Sequence, residues 1–500
     1  MIKKNTAKEN VNEIVKNTGI VFAPNEHRVI LRSRISKNKS RIKKIISRVL
    51  SLKKTEVSKE LENVLKKFSH RHHNLEFILE NQFETVRKHI SVNADISHDR
   101  RLLTGSFFCS EYSFESAALF NPSIIPHPNQ SKLAKGSLRF IISLRATGEG
   151  HISSLAFRSG VIDKNCNIKI DDSSLFASAA EMKTDAVYNK TVFTRKLREM
   201  GIQNRCSSLI LDAIPNKFTF DELLSKTNCS IINQKSLNQS EKFTIEKMEW
   251  LAKCNYEADF AHATHLSERV LFPLSPSEQN GIEDARFTLF IDDNGDHRYL
   301  ATYTAYNGKE IFPQLLETEN FEHFKMTTLN GNSAVNKGMA LFPRKINGRF
   351  AMISRQDNEN LFIMYSDKIH FWHEAKLIMK PIYSWEFLKI GTCSAPIETE
   401  KGWLLLTHGV GAFRQYSIGA MLLDKKNPEK ILGRLSEPLI QSTEKTRSGY
   451  VPNVVYSCGA LIHQDNLIIP YAMSDRQSAI SLVSLPDLLE KLLKKEFRQG

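Results

Sequence analysis

The sequence predicts an all-β five-bladed β-propeller with an N-terminal, mainly α-helical extension and a helical insertion. Three observations carry this prediction. Strand-like segments with turn residues between them fill the chain after about residue 100. One strand pattern recurs at a spacing near 50 residues, and helical periodicity is confined to the N-terminal part and to one internal stretch. A long period with several strands in each unit is typical of propellers.

The recurring unit is a Gly or Asp turn followed by a strand of about six apolar or aromatic residues that ends in a polar group. Its turn positions Gly295, Gly348 and Gly402 are 53 and 54 residues apart, and Asp465 follows 63 residues later. Five segments fit the pattern: GSLRFIISLRAT, GDHRYLATYTAY, NGRFAMISRQD, KGWLLLTHGV and DNLIIPYAMSD. Five units predict five blades.

The remaining segments lie before this repeat or are inserted into it. Apolar residues at three- and four-residue intervals in RIKKIISRVLSLKK, VSKELENVLKKF and LEFILENQFETVRKHI predict helices. We therefore expect a basic, mainly helical extension over residues 1–95, with a short strand at RVILRSRI, and a propeller domain over 96–500. The 159-residue interval from Gly136 to Gly295 is too long for one blade, so a helical insertion is predicted at about 185–260.

Composition narrows the class of protein. The chain is 41% hydrophobic, has no apolar run of the roughly 18 residues that a membrane helix needs, and begins without the apolar region of a secretory signal. Its seven scattered cysteines contain no CxxC pair, which indicates reduced thiols and a cytoplasmic location. We expect no membrane partner, and homo-oligomerisation stays open.

The net charge of +14 belongs to one segment. Residues 1–75 contain 19 Lys and Arg against six Asp and Glu, so the rest of the chain is nearly neutral. A main body without basic excess argues against a nucleic-acid partner. The basic segment is either a solvated helical face or a docking surface for an anionic polymer or an acidic partner.

The five strand ends predict one common pocket. Equivalent positions of a propeller converge around its axis, so the polar groups that end the repeated strands should line one central site. These groups are Arg145, Tyr306, Arg355, His408 and Asp475. The pattern is richer in Arg, His and Asp than a solvent-facing strand end requires.

Further candidates lie at the starts of strands: Lys337, Lys389, and Asp284 within the segment GIEDARF. Several cations around one pocket suit phosphate or another oxyanion, because Arg and Lys donate charge-assisted hydrogen bonds to its oxygens. The alternative is that both lysines are surface residues beside turns. We expect no metal site, since the His70–His73 run lies on a basic helix, and we expect Cys393 to be a buried structural thiol.

Several of these motifs resemble those of the β-mannoside phosphorylases and hydrolases of glycoside hydrolase family 130. The resemblance covers about residues 100–490, and it rests on GIEDARF, the KGMALFPRKINGRF…SR stretch, KIGT…APIET, GWLLLTHGV and GYVPNVVYSCGAL. It implies a five-bladed propeller, in agreement with the repeat count. The chain departs from many members at Ala285, where they carry proline, and at GTCSAP, which leaves the acceptor specificity open.

The resemblance also implies roles for individual residues. Asp284 matches the catalytic acid, which protonates the glycosidic oxygen through a sugar hydroxyl. The positions that match phosphate ligands are Lys337, Arg355, Lys389, His408 and Tyr416. The positions that match substrate-binding residues are Asn121, Arg145 and Asp475, and next to the acid we expect Glu283 to orient the substrate and Arg286 to hold the segment in place as part of the substrate site.

The function implied is an inverting phosphorylase that cleaves β-mannosides with inorganic phosphate to α-mannose 1-phosphate. A phosphorolytic enzyme needs one acid and a cationic cradle, because phosphate is already an anionic nucleophile, whereas an inverting hydrolase needs a second carboxylate as base. The cations favour the phosphorylase, with phosphate as co-substrate and no cofactor. An inverting β-mannoside hydrolase, with Glu149 as a candidate base, and a non-catalytic glycan- or protein-binding propeller are the alternatives.

Overall fold

The structure is a computed structural model that describes residues 14–90, 96–183, 186–232, 237–260 and 263–494. Parts of the predicted N-terminal extension and of the predicted insertion fall outside these ranges. Within them, the chain is mainly β, with one group of helices in the N-terminal part, a second between the first two meanders and a single helix after the last strand.

The N-terminal part combines helices with two strands. Asn38 caps α1, where its side chain accepts hydrogen bonds from the backbone N–H groups of Ser40 and Arg41. The apolar side chains Ile42 and Ile46 of α1 are buried. The elements are β1 (Val15–Phe22), β2 (Val29–Ser33), α1 (Lys39–Leu50), α2 (Lys54–Phe68), α3 (Leu75–Arg87), α4 (His98–Ser106) and β3 (Cys109–Ser113).

Five antiparallel meanders follow, and in the first three the strands pair in chain order. The first consists of β4 (Ala118–Pro126), β5 (Leu138–Thr147), β6 (Ser153–Ile162) and β7 (Ile168–Ile170). Between the first and second lie β8 (Ser178–Ala179), β9 (Glu181–Met182), β10 (Val187–Asn189), α5 (Lys190–Glu199), α6 (Arg205–Ala213), β11 (Lys217–Thr219), α7 (Phe220–Ile232), α8 (Gln239–Lys253), β12 (Tyr256–Asp259) and β13 (Arg269–Leu271).

The second meander consists of β14 (Gly281–Ile291), β15 (His297–Tyr306), β16 (Ile311–Thr318) and β17 (His323–Thr328). The third consists of β18 (Ala340–Leu341), β19 (Phe350–Ser354), β20 (Leu361–Ser366) and β21 (Ala375–Met379). The fourth consists of β22 (Lys389–Thr392), β23 (Ile397–Thr399), β24 (Gly402–Val410), β25 (Tyr416–Leu423), β26 (Ile431–Arg434) and β27 (Ile440–Gln441). The fifth consists of β28 (Val455–Tyr456), β29 (Leu461–His463), β30 (Asn466–Met473) and β31 (Gln477–Ser484), and α9 (Leu485–Lys494) follows it. In the fourth meander both β22 and β23 pair with β24, and in the fifth both β28 and β29 pair with β30.

Apolar cores lie between successive meanders. One core joins strands of the first and second meanders, and others join the second to the third, the third to the fourth and the fourth to the fifth. A fifth core joins the last meander to the first, with Ile468 and Ile480 packed among residues of β4, β5 and β6. The succession of meanders therefore returns to its start.

The N-terminal strand β1 belongs to the fifth meander. It pairs antiparallel with β31, with Val15 opposite Val483. The sequence analysis did not anticipate this strand in the extension, because its partner lies at the far end of the chain and leaves no local signal. The predicted boundary near residue 95 stays a prediction.

The second helical region packs around its own core. Helices α5 to α8 lie within the range in which the sequence predicts an insertion, and they bury residues that include Phe193, Ile210, Phe218 and Met248. Among the described helices, none is long and apolar enough to cross a membrane. The repeat strands β5, β15, β19, β24 and β30 are equivalent, since each pairs on one side with the strand or two short strands that open its meander and on the other side with the next strand.

Candidate active site

A β-bulge displays the two adjacent acids of GIEDARF. The pairing of β14 with β15 shifts register between Glu283 and Arg286, and Asp284 has a left-handed φ of 53°. A second bulge interrupts β4 between Phe120 and Ser123, where Asn121 has a φ of 47°. Bulges redirect side chains, and the amide Nδ2 of Asn121 here donates to Oδ1 of Asp284 at 2.7 Å.

Close packing of the first two meanders brings Arg145 to these acids. Gly281 pairs with Ser153, and a Cβ at Gly281 would lie 2.6 Å from the Cβ of Ser153, so only glycine permits this approach. The Arg145 guanidinium donates to Glu283 Oε1 at 2.7 Å, to Asp284 Oδ1 at 3.2 Å and to the Ser153 hydroxyl at 2.9 Å. One arginine therefore bridges both carboxylates.

The two acids differ in their free oxygens. The Lys337 ammonium donates to Oε2 of Glu283 at 2.6 Å, so both oxygens of Glu283 carry a charged partner. Both hydrogen bonds to the carboxylate of Asp284 go to Oδ1, and no described residue donates to its Oδ2. We call Asn121, Arg145, Glu283, Asp284 and Lys337 the acidic half of the site.

The charges around Asp284 control its protonation. Burial by itself raises the pKa of the Asp284 carboxyl, but the positive charges of Arg145 and Arg286 outweigh burial and leave this pKa below its ordinary value. Asp475 lies near the same arginine, and burial raises the pKa of its carboxyl to about 6. Arg145 and Asp475 line one cavity of about 660 Å³, together with Phe120, His151 and Tyr450.

Arg286 supports the bulge from behind. It is 2% exposed and donates to the backbone carbonyl of Asp284 at 2.9 Å, to that of Thr392 at 3.3 Å, and to the hydroxyl of Tyr456. These bonds agree with the expectation that Arg286 holds the segment in place. Its direct contact with substrate stays a prediction.

Arg355, Lys389, His408 and Tyr416 form the cationic half of the site. The guanidinium Nη1 of Arg355 lies 3.2 Å from Nε2 of His408, and Nδ1 of His408 lies 3.2 Å from the carbonyl oxygen of Thr392. An arginine can only donate, so Nε2 is the acceptor and Nδ1 carries the proton. Burial and the neighbouring Arg355 hold the pKa of His408 well below its ordinary value, which keeps the ring neutral.

Lys389 lies beside aromatic groups instead of a carboxylate. Its ammonium is 5.7 Å from the centre of the Tyr416 ring, and that ring stacks with His408 at 5.8 Å. Burial, together with the charges of Arg355 and Arg414, lowers the pKa of Lys389 to about 8. Lys389 is therefore a cation that changes charge close to neutral pH.

The cationic half lacks counter-ions among the described residues. No described carboxylate lies within 4.0 Å of the charged nitrogens of Arg355 or Lys389, and Nε of Arg355 has no hydrogen-bond partner. Arg355 is only 6% exposed. Burying an unpaired charge is costly unless a ligand compensates it, so this cluster suits an anion.

The carbonyl oxygen of Thr392 links the two halves. It accepts from Arg286, which also holds the Asp284 backbone, and it accepts from His408, which in turn accepts from Arg355. The acid and the cations are thus fixed relative to one another through one buried chain of hydrogen bonds. An anion bound at the cationic half would lie beside the acid.

The structure brings most predicted residues together and sets others apart. Tyr306 joins the acidic half, since the Lys337 ammonium lies 5.8 Å from its ring. Glu149 is exposed, and its described hydrogen bond is a backbone carbonyl that accepts from Tyr112. Cys393 is fully buried, and burial raises the pKa of its thiol to about 12, as expected for a structural cysteine.

Metal binding finds no support in the part of the chain that the structure describes. No group of three or more His, Cys, Asp or Glu side chains there could hold an ion. The His70–His73 run lies in the turn between α2 and α3, so the expectation that it lies on a helix is wrong. His72 lies 2.8 Å from Glu111 and His73 lies 3.3 Å from Glu268. The absence of a metal from the functional protein stays a prediction.

Sequence reasoning did not single out three residues of this region. Tyr456 accepts from Arg286, and its ring lies 4.9 Å from that of His408. A Cβ at Gly391 would lie 2.3 Å from Cε1 of His408, so this glycine makes room for the ring. Arg414 adds positive charge near Lys389. Tyr456 and Gly391 lie inside the motifs that carry the family resemblance, which was the available signal.

Comparison with known proteins relates the chain to a family of mannoside phosphorylases. A family model described as beta-1,4-mannooligosaccharide phosphorylase matches residues 247–494. A 1,2-beta-oligomannan phosphorylase of Thermoanaerobacter sp. (strain X514) is 35% identical over 155 residues, which are 31% of this chain and 52% of the relative, so the match spans about half of that protein. A beta-1,2-mannobiose phosphorylase of the same organism is 31% identical over 262 residues, which cover 50% of this chain and 83% of the relative.

Among solved structures, the beta-1,2-mannobiose phosphorylase of Listeria innocua in complex with beta-1,2-mannobiose has a TM-score of 0.45 at 20% identity, with 77% of this chain and 94% of that chain covered. The sequence relationship to the Thermoanaerobacter mannobiose phosphorylase extends over most of that protein at more than 30% identity. The chain belongs to glycoside hydrolase family 130.

Proposed function

We propose that this chain is an inverting phosphorylase that cleaves β-mannosides with inorganic phosphate and releases α-mannose 1-phosphate. The proposal rests on the contrast between the acidic half and the cationic half of the site. No described residue donates to Oδ2 of Asp284, and neither the buried Arg355 nor the half-buried Lys389 has a described carboxylate partner. The relatives that match the chain are named mannoside phosphorylases, which supports the same reaction class.

The roles follow from the chemistry of each half. Phosphate binds at Arg355 and Lys389, with Lys337 and Tyr416 at its edge. His408 has both ring nitrogens engaged, with Thr392 and with Arg355, so it positions Arg355 and does not itself donate to phosphate. Asn121, Arg145 and Asp475 hold the sugar that is transferred. Glu283 orients the substrate, and Arg286 keeps the bulge in place.

Protonation of Asp284 is coupled to phosphate in this proposal. The charges of Arg145 and Arg286 favour the ionised form of Asp284. A phosphate anion nearby offsets those cations and raises the pKa of Asp284, because like charges disfavour ionisation. This change favours the protonated form of Asp284, which a general acid requires.

The reaction exchanges one bond at the anomeric carbon for another. A phosphate oxygen forms a bond to C1 of the mannosyl group from the face opposite the glycosidic oxygen, and the bond from C1 to that oxygen breaks with its electron pair. The proton of Asp284 passes through a sugar hydroxyl to the departing oxygen. Attack from the opposite face converts the β-linkage into an α-phosphate.

The hydrolase alternative lacks a base. A water molecule that attacks from the phosphate side would need a carboxylate there, and the cationic half contains none among the described residues. Glu149 is exposed and makes no described contact with that half.

We also infer that the five meanders are the blades of a β-propeller, since neighbouring meanders share cores and the fifth shares one with the first. We propose oligosaccharide and phosphate as partners and no cofactor beyond phosphate as co-substrate. A cytoplasmic location stays a prediction.

The test is product identity. The chain is incubated with β-1,2- and β-1,4-linked mannooligosaccharides in phosphate buffer and in a phosphate-free buffer, and phosphorus NMR follows the products. We expect α-mannose 1-phosphate and no cleavage without phosphate. Free mannose formed equally in both buffers would establish the hydrolase, and binding without cleavage of any mannoside would establish the non-catalytic propeller.

A further inference from the structure

One segment far from the candidate site in sequence carries most of the net charge of the chain. Between Arg28 and Thr55 the sequence contains 11 Lys and Arg and no Asp or Glu. Nine of these cations are exposed, and we call them the basic surface: Arg34, Lys37, Lys39, Arg41, Lys43, Lys44, Arg48, Lys53 and Lys54. The rest of the molecule is close to neutral, so this surface is a local feature.

The cations of the basic surface are not neutralised within the described chain. No described carboxylate lies within 4.0 Å of any of their charged nitrogens. Some lysines elsewhere are neutralised, since Lys345 pairs with Asp292 at 2.7 Å and Lys425 pairs with Glu398 at 3.1 Å. Unpaired charges in one patch create a positive field that a neighbouring carboxylate would cancel.

The fold holds the basic surface in one orientation. Ile42 and Ile46 on the opposite face of α1 are buried in one core with Val86 and Phe108. The Arg100 guanidinium donates to the carbonyls that end the helix, among them that of Leu50 at 2.6 Å. The apolar face of α1 is therefore already covered by the protein itself. It can neither insert into a bilayer nor bind in an apolar groove of a partner.

The exposed face presents hydrogen-bond donors suited to phosphate. Lys39 and Lys43 lie one helical turn apart, as do Ser40 and Lys44. These four residues and Ser47 line one shallow depression of the protein surface. Ammonium and hydroxyl groups both donate to phosphate oxygens, and the depression contains no acidic side chain to repel them.

The residue types favour a lipid surface over other polyanions. Residues 28–55 contain no Phe, Tyr or Trp, so the segment has no ring on which a nucleic-acid base could stack. It also lacks the exposed aromatic anchors typical of protein interfaces. Lysine clusters attract the anionic headgroups of the cytoplasmic leaflet without reading a sequence.

We propose that the basic surface docks this protein on anionic phospholipid bilayers by electrostatic attraction alone. The proposal is independent of the proposed function, because no residue of the surface lies in either half of the site. It departs from the sequence-based expectation of no membrane partner, which rested on the lack of a long apolar run. The contact leaves the bilayer core untouched.

The experiment is cosedimentation of the full chain with vesicles. Vesicles that contain phosphatidylserine are compared with vesicles of phosphatidylcholine alone, at low salt and at about 1 M salt, where the screening length falls to about 3 Å. The test variant replaces Lys39, Lys43 and Lys44 by Glu. The matched control replaces the exposed Lys132, Lys135 and Lys164 by Glu, which changes the net charge equally at another place.

We expect wild type and the control variant to sediment with phosphatidylserine vesicles only, and high salt to release them. The test variant should bind roughly tenfold or more weakly, since each surface cation contributes separately, while its circular dichroism and melting temperature match the control. Equal binding by both variants, or no binding by wild type, overturns the proposal. Tighter binding of wild type to duplex DNA or single-stranded RNA than to these vesicles overturns it in favour of a nucleic-acid surface.

Discussion

The acidic and cationic halves of the site balance their charges in different ways. In the acidic half, Arg145 and Lys337 bond to both oxygens of Glu283 and to one oxygen of Asp284. In the cationic half, Arg355 and Lys389 have a neutral histidine and a tyrosine ring as neighbours. We infer that the ion pairs of the acidic half stabilise the fold, whereas the unpaired cations of the other half are suited to binding an anionic ligand. The difference predicts that mutations in the two halves separate stability from activity.

The largest expected effect comes from Asp284→Asn. The amide keeps the shape and can still accept from Asn121, but it cannot supply a proton, so we expect kcat to fall by about 10²- to 10⁴-fold with little change in melting temperature. Glu283→Gln is the control, with a smaller loss in kcat and a larger loss in stability because two cations lose a charged partner.

An activated substrate sharpens this prediction. A nitrophenyl β-mannoside has a leaving group that needs no proton, so Asp284→Asn should recover much of its turnover on it relative to a mannooligosaccharide. Unchanged turnover of Asp284→Asn on the mannooligosaccharide, or an equal deficit on both substrates, would exclude Asp284 as the acid.

The next effect compares one arginine from each half. Arg355→Met removes an unpaired cation, so we expect the KM for phosphate to rise about 10- to 100-fold, the range for a lost hydrogen bond to a charged group, with no loss of stability. Arg145→Met leaves two carboxylates short of a partner and should destabilise the fold by about 3–5 kcal/mol. Urea unfolding and phosphate kinetics measure both, and equal stabilities for the two variants would contradict the comparison.

A smaller effect is expected from Gly391→Ala. The added methyl group would lie 2.3 Å from the His408 ring and 3.1 Å from Nη1 of Arg355, so both side chains must move. We expect a several-fold rise in the KM for phosphate. Gly419→Ala, which meets the Trp385 ring at 2.5 Å instead, is the matched control and should affect melting temperature without a specific effect on phosphate. Equal phosphate KM values in the two variants would show that Gly391 does not position the His408 and Arg355 side chains for phosphate.

The smallest effect concerns pH. Because the pKa of Lys389 is lowered to about 8 by burial, its ammonium is charged below that pH and loses its charge as the pH rises through it. The KM for phosphate should therefore increase above about pH 8 in the wild type. Lys389→Arg keeps its charge at all these pH values, so its profile should lack this increase. The same increase in the variant would assign it to another group.

The sequence predicted the positions that repeat and missed those that depend on distant partners. Arg145, Arg355, His408 and Asp475 were found because each follows the same strand pattern, and each does lie in the repeat strand of its meander or within two residues of its end. The pairing of β1 with β31 was missed because the two strands lie at opposite ends of the chain.

Local conformation set the other limit. Adjacent acids in a strand normally point to opposite faces, and only the register shift and the left-handed φ of Asp284 explain how Arg145 reaches both. Bulges leave a weak signal in one sequence. The role of Gly391 was hidden for a similar reason, because it depends on a ring carried by the neighbouring strand.

The central claim is that the unpaired cations hold phosphate beside Asp284. A crystal structure of the chain with phosphate and mannose tests it most directly. We expect phosphate oxygens within hydrogen-bond distance of Arg355 and Lys389, with mannose against Arg145 and its anomeric carbon facing the phosphate. Phosphate bound elsewhere, with no anion at Arg355 and Lys389, would contradict the assignment of these two residues as the phosphate site.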